Sequence, residues 1–288
     1  MGGARMNVLK VADCSLVDVV KVWNEGFHDY FVPVKLDQHA FLNRLAKEDL
    51  SADASFVVEK DSKLQGVLLN GFRKRKGKML AWNGGTAVIE SARGTGIAKL
   101  LMEATIRQYE ENGVQQATLE VIKENERAIA LYKKFGFTER DELILFEGIV
   151  TEEEAKDLAS LHVVSIRPEL LSHLTFYEPD VPWQCCWESN KNAEAAVYYD
   201  AQHEPIGYAL FNRVFDDNGT QISSTIYQLH LLKGKNKQMV PNLLPSIVGE
   251  AGHYSTLNTP ASSAFAHYLT AAGASEKVRQ IWMERTFA

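Results

Sequence analysis

The 288-residue chain has only three cysteines, Cys14, Cys185 and Cys186, two of them adjacent. That excludes a disulfide framework, and with it the simplest kind of small secreted scaffold. Long apolar runs are missing as well. None approaches the roughly 20 residues that a membrane-spanning helix needs, and the first residues carry no signal-peptide pattern. The expectation is a reduced, cytoplasmic protein with no membrane partner. Basic excess is also absent. The formal net charge is −6. Residues 1–149 hold 21 basic and 21 acidic side chains, which leaves 10 of the 31 basic and 16 of the 37 acidic residues to the second half. This argues against nucleic acid as a general partner, whereas a cationic amine drawn to an acidic surface is permitted. No His or Cys spacing suits a metal, so no metal site is expected.

What is present is ordinary in bulk and specific in one stretch. The 45% apolar and 24% charged content fits a globular protein, and the length is comfortable for two domains. The specific stretch is 82–112. A strand-like run ends near Val88, a short loop carries Arg93, Gly94 and Gly96, and a helix follows with Ile97, Leu100, Leu101, Ala104 and Gln108 on one face. A glycine loop opening a helix is an anion site: the first turn has free N–H groups and the positive end of the helix dipole, and glycines let a pyrophosphate approach them. A dinucleotide fingerprint is excluded, because its third glycine position holds Lys99. A Walker loop is excluded by the lack of Gly-Lys-Ser/Thr.

A second stretch narrows the reading. Residues 117–137 run Ala-Thr-Leu-Glu120-Val through Asn125, then Ala128, Leu131, Tyr132, Phe135, Gly136 and Phe137. A strand leads to Asn125, and a helix with Ala128, Leu131, Tyr132 and Phe135 on one face stops at Gly136, as a C-terminal glycine should. Arg93-x-x-Gly96-x-Ala98, followed at this separation by Leu-Glu-Val, Asn-x-x-Ala-x-x-Leu-Tyr and Gly-Phe, resembles the motif set of the GNAT superfamily of N-acetyltransferases. The resemblance covers about residues 5–148.

The resemblance implies a mixed α/β sheet with helices on both faces and acetyl-CoA as co-substrate. Its pyrophosphate would be held by Arg93, Gly94, Gly96, Ile97 and Ala98, and its pantetheine arm by the strand end at Ala87 and Val88. Asn125 would contact it too, although Asn there suits a helix cap equally well. Tyr132 would be the general acid at the thioester sulfur, since a phenol with a pKa near 10 stays protonated at neutral pH; a core tyrosine is the alternative. Glu120, alternating with Leu119 and Val121, resembles the base of the ribosomal-protein N-terminal acetyltransferases; the alternatives are a strand carboxylate in solvent or beside a basic group, with the base acting through water or from another residue. His28, Asp29 and Tyr30, after the first helix, are candidates to meet a small-molecule or peptide amine. The implied reaction is direct acetyl transfer in a ternary complex, with no cysteine in the motifs to carry an acyl group. A CoA-binding sensor or an interaction protein on the same fold is the rival.

The first half reads as strand, two helices (the second capped by Asp37), three strands, helix, strand, helix and two strands within 137–146. Arg73-Lys-Arg-Lys-Gly77-Lys reads as a solvated hairpin tip. Thr151 is read as the cap of a helix through Leu161, and Pro168 as the start of a short one. Trp183, Trp187, Cys185 and Cys186 read as buried packing. The second half then repeats the order: the Gly66 hairpin is echoed around Gly207, and Asn258, Tyr268-Leu269 and Gly273 are a blurred copy of Asn125, Leu131-Tyr132 and Gly136. Gly234-Lys-Asn-Lys-Gln-Met-Val-Pro stands where the glycine loop should be, and no Tyr aligns with Tyr132. The organisation expected is two tandem GNAT-like acyl-CoA N-acyltransferase domains, a catalytic one at 1–149 and a degenerate one at 150–288.

Overall fold

The structure, a computed structural model, describes residues 6–29, 35–150, 161–232, 240–249 and 252–287. The chain divides into two compact units, Met1–Arg140 with Trp282–Ala288, and Asp141–Ile281.

In the first unit, β1 (Met6–Lys10), β2 (Phe56–Lys60), β3 (Lys63–Arg75) and β4 (Lys78–Val88) form an antiparallel run. β4 then pairs in parallel with β5 (Gln116–Ile122). α1 (Leu16–Gly26) buries Val19, Val20, Val22 and Trp23. α2 (Gln38–Lys47) begins at Asp37, whose carboxylate accepts from the Ala40 N–H at 2.7 Å as an N-cap should. α3 (Ile97–Glu111) buries Ile97, Leu101 and Met102, with Thr105 and Tyr109 deeper in the sheet. There the Tyr109 hydroxyl donates to Asn70 Oδ1 at 2.7 Å. α4 (Glu126–Lys134) ends at Gly136, whose φ of 81° requires a residue without a Cβ penalty.

The segment 137–146 was expected to hold two strands and holds one. β6 runs unbroken over Thr138–Ile149, because Asp141 stands alone there, with no Gly or Pro to make a turn before Gly148. The strand beside β5 is instead the last one, β13 (Ser275–Thr286). In the first unit its end is fixed by Gln116 Nε2 donating to Glu284 Oε2 at 2.9 Å and Arg285 donating to the Phe135 carbonyl at 2.7 Å. β6 and β13 each begin in one unit and end in the other. The basic hairpin tip turns at Lys76 and Gly77, but Arg73 is not solvated. It is buried and ion-paired with Asp49 at 2.6 Å.

The second unit repeats the plan: β7 (His162–Ile166), β8 (Glu194–Tyr199), β9 (Pro205–Phe215) and β10 (Gln221–Leu231) are antiparallel neighbours, and β10 pairs in parallel with β11 (His253–Thr256). β11 and the short β12 (Thr259–Pro260) both lie against β6. α5 (Val240–Val248) and α6 (Ala264–Ala271) bury Leu243, Ile247 and Leu269 with Phe146 and Tyr254. Residues 162–166 form a strand, immediately after the expected helix through Leu161; Val163 and Val164 favour extended backbone. Residues 151–160 of that helix, and the 234–239 part of the segment expected to replace the glycine loop, lie outside the described residues. The cap of α6 is Ser263, accepting from the Ala266 N–H at 3.0 Å. Ser263, rather than Asn258, is therefore the positional counterpart of Asn125. Among the described residues no helix is long and apolar enough to cross a membrane.

Candidate active site

The site begins where two parallel strands part. β4 and β5 pair only from Leu80↔Gln116 to Asn83↔Leu119. At the next residue the β3–β4 register slips, Asn70 facing Asn83 and Leu69 facing Gly85, so Gly84 is the extra residue of a bulge. A bulge bends its strand and strengthens the twist, which turns Gly84–Val88 away from β5. Gly85 is needed there: its φ is 149°, and a Cβ would stand 2.6 Å from the Trp23 ring. From Gly85 to Val88 the strand keeps its β3 partners, and Gly84–Val88 has no β5 partner among the described residues. Thr86, Ala87 and Val88 line a cleft of about 650 Å³.

The glycine loop forms one wall of this cleft. Gly94 and Gly96 have φ of 86° and 94°, and Gly96 is the N-cap of α3 in the left-handed region. A Cβ at Gly96 would meet nothing within 4 Å, so it borders open space. The first-turn N–H groups of α3 and the positive end of its dipole are available to an anion there. Arg93 shapes the loop. Its guanidinium donates to both oxygens of Asp29 at 2.6 Å, to the Gly26 carbonyl at 3.2 Å, and through Nε to the Val88 carbonyl at 3.2 Å. One side chain thus ties the end of α1, the end of β4 and the loop together. The bidentate hydrogen bond to Arg93 holds the Asp29 carboxyl down at about 2.

α4 forms the opposite wall. Asn125 caps it, accepting from the Ala128 N–H at 3.2 Å, and Arg127, Ala128, Leu131, Tyr132 and Lys134 line the cleft. The Tyr132 ring is buried edge-to-face on Phe137, with centroids 6.3 Å apart.

Glu120 is not among the residues lining this cleft. Asn83 faces α3 through Met102, so Trp82, one residue earlier, faces the other side of the sheet. Trp82 pairs with Thr118, and Glu120 follows Thr118 by two, which puts Trp82 and Glu120 on one face. The Trp82 indole N–H donates to Glu120 Oε2 at 2.7 Å, and Oε1 is buried without a partner. Nearby, Arg44 pairs with Glu48 at 2.9 Å, donates to the Gly84 carbonyl at 2.5 Å and lies over the Trp23 ring at 4.8 Å. Burial pushes the Glu120 carboxyl up to about 7; the Trp82 hydrogen bond and Arg44 oppose that rise, and Glu48 adds to it.

The cleft thus brings together Ala87, Val88, Arg93, Gly94, Gly96, Ile97, Ala98, Asn125, Tyr132 and Asp29. Asp29 is there as the partner of Arg93. His28 is exposed and outside the lining, and Tyr30 lies outside the described residues. Sequence reasoning missed Arg127 and Lys134, whose seven-residue spacing along α4, with Leu131 between, was the available signal. It also missed Trp82 and Arg44, which come to Glu120 from other elements and leave no local pattern.

Comparison with known proteins agrees with this geometry. Residues 19–137 match the acetyltransferase (GNAT) family model. The whole chain also superposes on solved structures. A GCN5-related N-acetyltransferase from Sphaerobacter thermophilus matches with a TM-score of 0.68 at 11% identity, over 98% of this chain and 95% of that one. A tandem GNAT protein from the clavulanic acid biosynthesis pathway matches with a TM-score of 0.61 at 11% identity, over 99% and 98%. A GCN5-related glucosamine N-acetyltransferase region of a fungal multi-domain GH3 β-N-acetylglucosaminidase matches with a TM-score of 0.71 at 14% identity. That match takes in 99% of this chain, which spans 38% of the fungal protein. A search of curated proteins gave no match. Residues 19–137 thus carry a GNAT acetyltransferase domain, and the chain as a whole shares the fold of these proteins, a tandem GNAT protein among them.

Proposed function

We propose that this protein is an acetyl-CoA-dependent N-acetyltransferase, with a catalytic domain at 1–149 and a degenerate GNAT-like domain at 150–288. The observation that carries the reading is one cleft in which the Arg93–Ala98 loop, the unpaired end of β4 and Tyr132 meet. The donor set fits the co-substrate. N–H groups at the start of α3 suit a pyrophosphate, and the open space beside Gly96 leaves room for it. Arg127 and Lys134 add cationic groups for phosphate. The strand edge at Thr86–Val88, which has no β5 partner, suits the amides of a pantetheine arm.

In this reading Glu120 takes a proton from the acceptor ammonium, and a carboxyl pushed up to about 7 is poised for that near neutrality. The amine nitrogen then attacks the thioester carbonyl, forming the N–C bond. A backbone N–H at the β4 end polarises the carbonyl oxygen. The C–S bond breaks, and the Tyr132 phenol gives its proton to the departing thiolate, later regaining one from solvent. The acceptor is a small-molecule or peptide primary amine.

The test is calorimetric titration of acetyl-CoA and CoA into the wild type and Gly96→Trp, followed by a panel of amines read by thiol release. Binding by the wild type alone, with turnover of one amine class, supports the reading. Binding without turnover would make the protein a CoA sensor, and absence of binding would overturn the proposal.

A further inference from the structure

The face of the sheet bearing Glu120 holds a polar group whose arrangement packing alone does not explain. Glu120 has one oxygen engaged, by the Trp82 indole at 2.7 Å, and one oxygen buried without a partner. An unpaired buried carboxylate oxygen is costly, and such orphans call for an explanation. The groups facing it are few. From α2 come Arg44 and Glu48, already paired with each other. From β4 comes Trp82. Along β5 on the same side stands Gln116, whose amide is engaged by Glu284, itself bonded to Arg140 at 3.2 Å. Arg44, the nearest cation, spends its guanidinium on Glu48 and the Gly84 carbonyl rather than on Glu120.

We propose that Trp82 is a positioning residue for the acceptor base: its indole N–H fixes Glu120 Oε2 and leaves Oε1 as the oxygen that takes the acceptor's proton. The proposal rests on the acetyl-transfer reading. Indole donates and cannot accept, so it holds the carboxylate without competing for the proton. It also lowers the pKa that burial raises, which keeps part of the population ionised at neutral pH. Arg44 acts on the same geometry one step back, anchoring the bulge carbonyl at Gly84 that follows Trp82 by two residues.

The experiment compares wild type, Trp82→Phe, Glu120→Gln and the double variant with the best amine of the panel, as pH profiles of kcat and kcat/KM. Acetyl-CoA titration of each variant checks that the cleft is intact. Loss of the base in Glu120→Gln lowers kcat on the order of 100-fold. Trp82→Phe lowers kcat about tenfold at pH 7 and moves the acid limb upward by about one pH unit, because removing the donor to the charged form raises the carboxyl pKa. In the Glu120→Gln background Trp82→Phe then has almost no further effect, since its contribution passes through Glu120. A merely structural Trp82 would lower kcat equally in both backgrounds and leave the limb in place, and that result overturns the inference. If Trp82→Phe does not fold, Glu120→Asp serves instead: it shortens the side chain away from the indole, and an unmoved acid limb refutes the proposal. The failures separate. A wild type that turns over no amine overturns the acetyl-transfer reading, and this inference with it. A wild type that turns over an amine but is indifferent to Glu120→Gln overturns the inference and the base role of Glu120 while leaving acetyl transfer standing.

Discussion

The two units part their parallel strands in the same way and fill the gap differently. In the first, β4 and β5 separate after Asn83 and Leu119, and the end of β4 faces an open cleft. In the second, β10 and β11 separate after Ile226 and Thr256, and the chain's own turn at Trp183–Cys185 bridges the gap. Gln228 Nε2 on β10 donates to the Cys185 carbonyl at 2.7 Å, and Cys185 Sγ donates to the Leu257 carbonyl at 2.9 Å. Gln228 Oε1 accepts in turn from the Tyr208 hydroxyl at 3.0 Å. Leu257 stands where Glu120 stands in the first unit, directly after the last paired residue of the strand. Seven residues past the cap of α6 stands Thr270, where Tyr132 stands seven past Asn125. The lesson is that one topology supplies the parted strands and side chains decide whether the gap is a site or a core. Two parted strands expose backbone groups that need partners, and in the second unit the Trp183–Cys185 turn supplies some of them.

The comparison breaks most visibly at the glycine loop. Gly96→Trp fills the space at the start of α3 and is expected to weaken acetyl-CoA binding by at least about 100-fold, with bulk placed where the backbone must approach the phosphates. Calorimetry should fall from one site per chain to none, and a second site persisting in the variant would show that the second unit binds as well. Tyr132→Phe should come next, lowering kcat on the order of 100-fold through loss of the general acid while acetyl-CoA still binds; an unchanged kcat would return Tyr132 to the core. Asp29→Asn is expected to raise KM for acetyl-CoA about tenfold by releasing Arg93 from its two charge-assisted hydrogen bonds, with kcat nearly kept. A kcat loss at constant KM would make Asp29 an acceptor contact instead. The sign of its pH dependence is fixed. A carboxyl lowered to about 2 keeps the pair intact above the ordinary Asp range near 4 and loses it only as pH falls through the lowered value. Initial rates between pH 6 and 9 should therefore follow Glu120, not Asp29. The smallest effect on the site should come from the second unit. Gln228→Leu removes the hydrogen bonds to the Cys185 carbonyl and from the Tyr208 hydroxyl and costs about 1–3 kcal/mol of that unit's stability, read by thermal unfolding, while acetyl-CoA affinity stays at the wild-type value.

Much of the site was legible because its parts are local. The Arg93–Ala98 loop and the Asn125–Gly136 helix are continuous segments whose glycines, cap and 3.6-residue spacing follow from backbone sterics and hydrogen bonding within a few residues. The repeat of the second half was legible for the same reason, as hairpin turns and a capped helix. Less legible was the path of the chain. Nothing within 137–146 reveals that the strand beside β5 comes from Trp282–Thr286, since strand pairing is decided by partners far away in sequence. The strand at His162–Ile166 was missed because a polar, helix-like run precedes it.

The sequence by itself supplied the candidate groups: a glycine loop opening a helix, a tyrosine on a second helix and a carboxylate on the strand before it, each written in short-range patterns. Only the tertiary structure decided what those groups touch. It paired Asp29, a candidate acceptor contact, with Arg93, and set Trp82 against Glu120 with one oxygen left unpaired. It also closed the second gap with Cys185. The reason is physical: hydrogen bonds across 38 to 72 residues depend on which faces the packed sheet brings together, and burial, which sets the proton affinity of Glu120, exists only once the chain is folded.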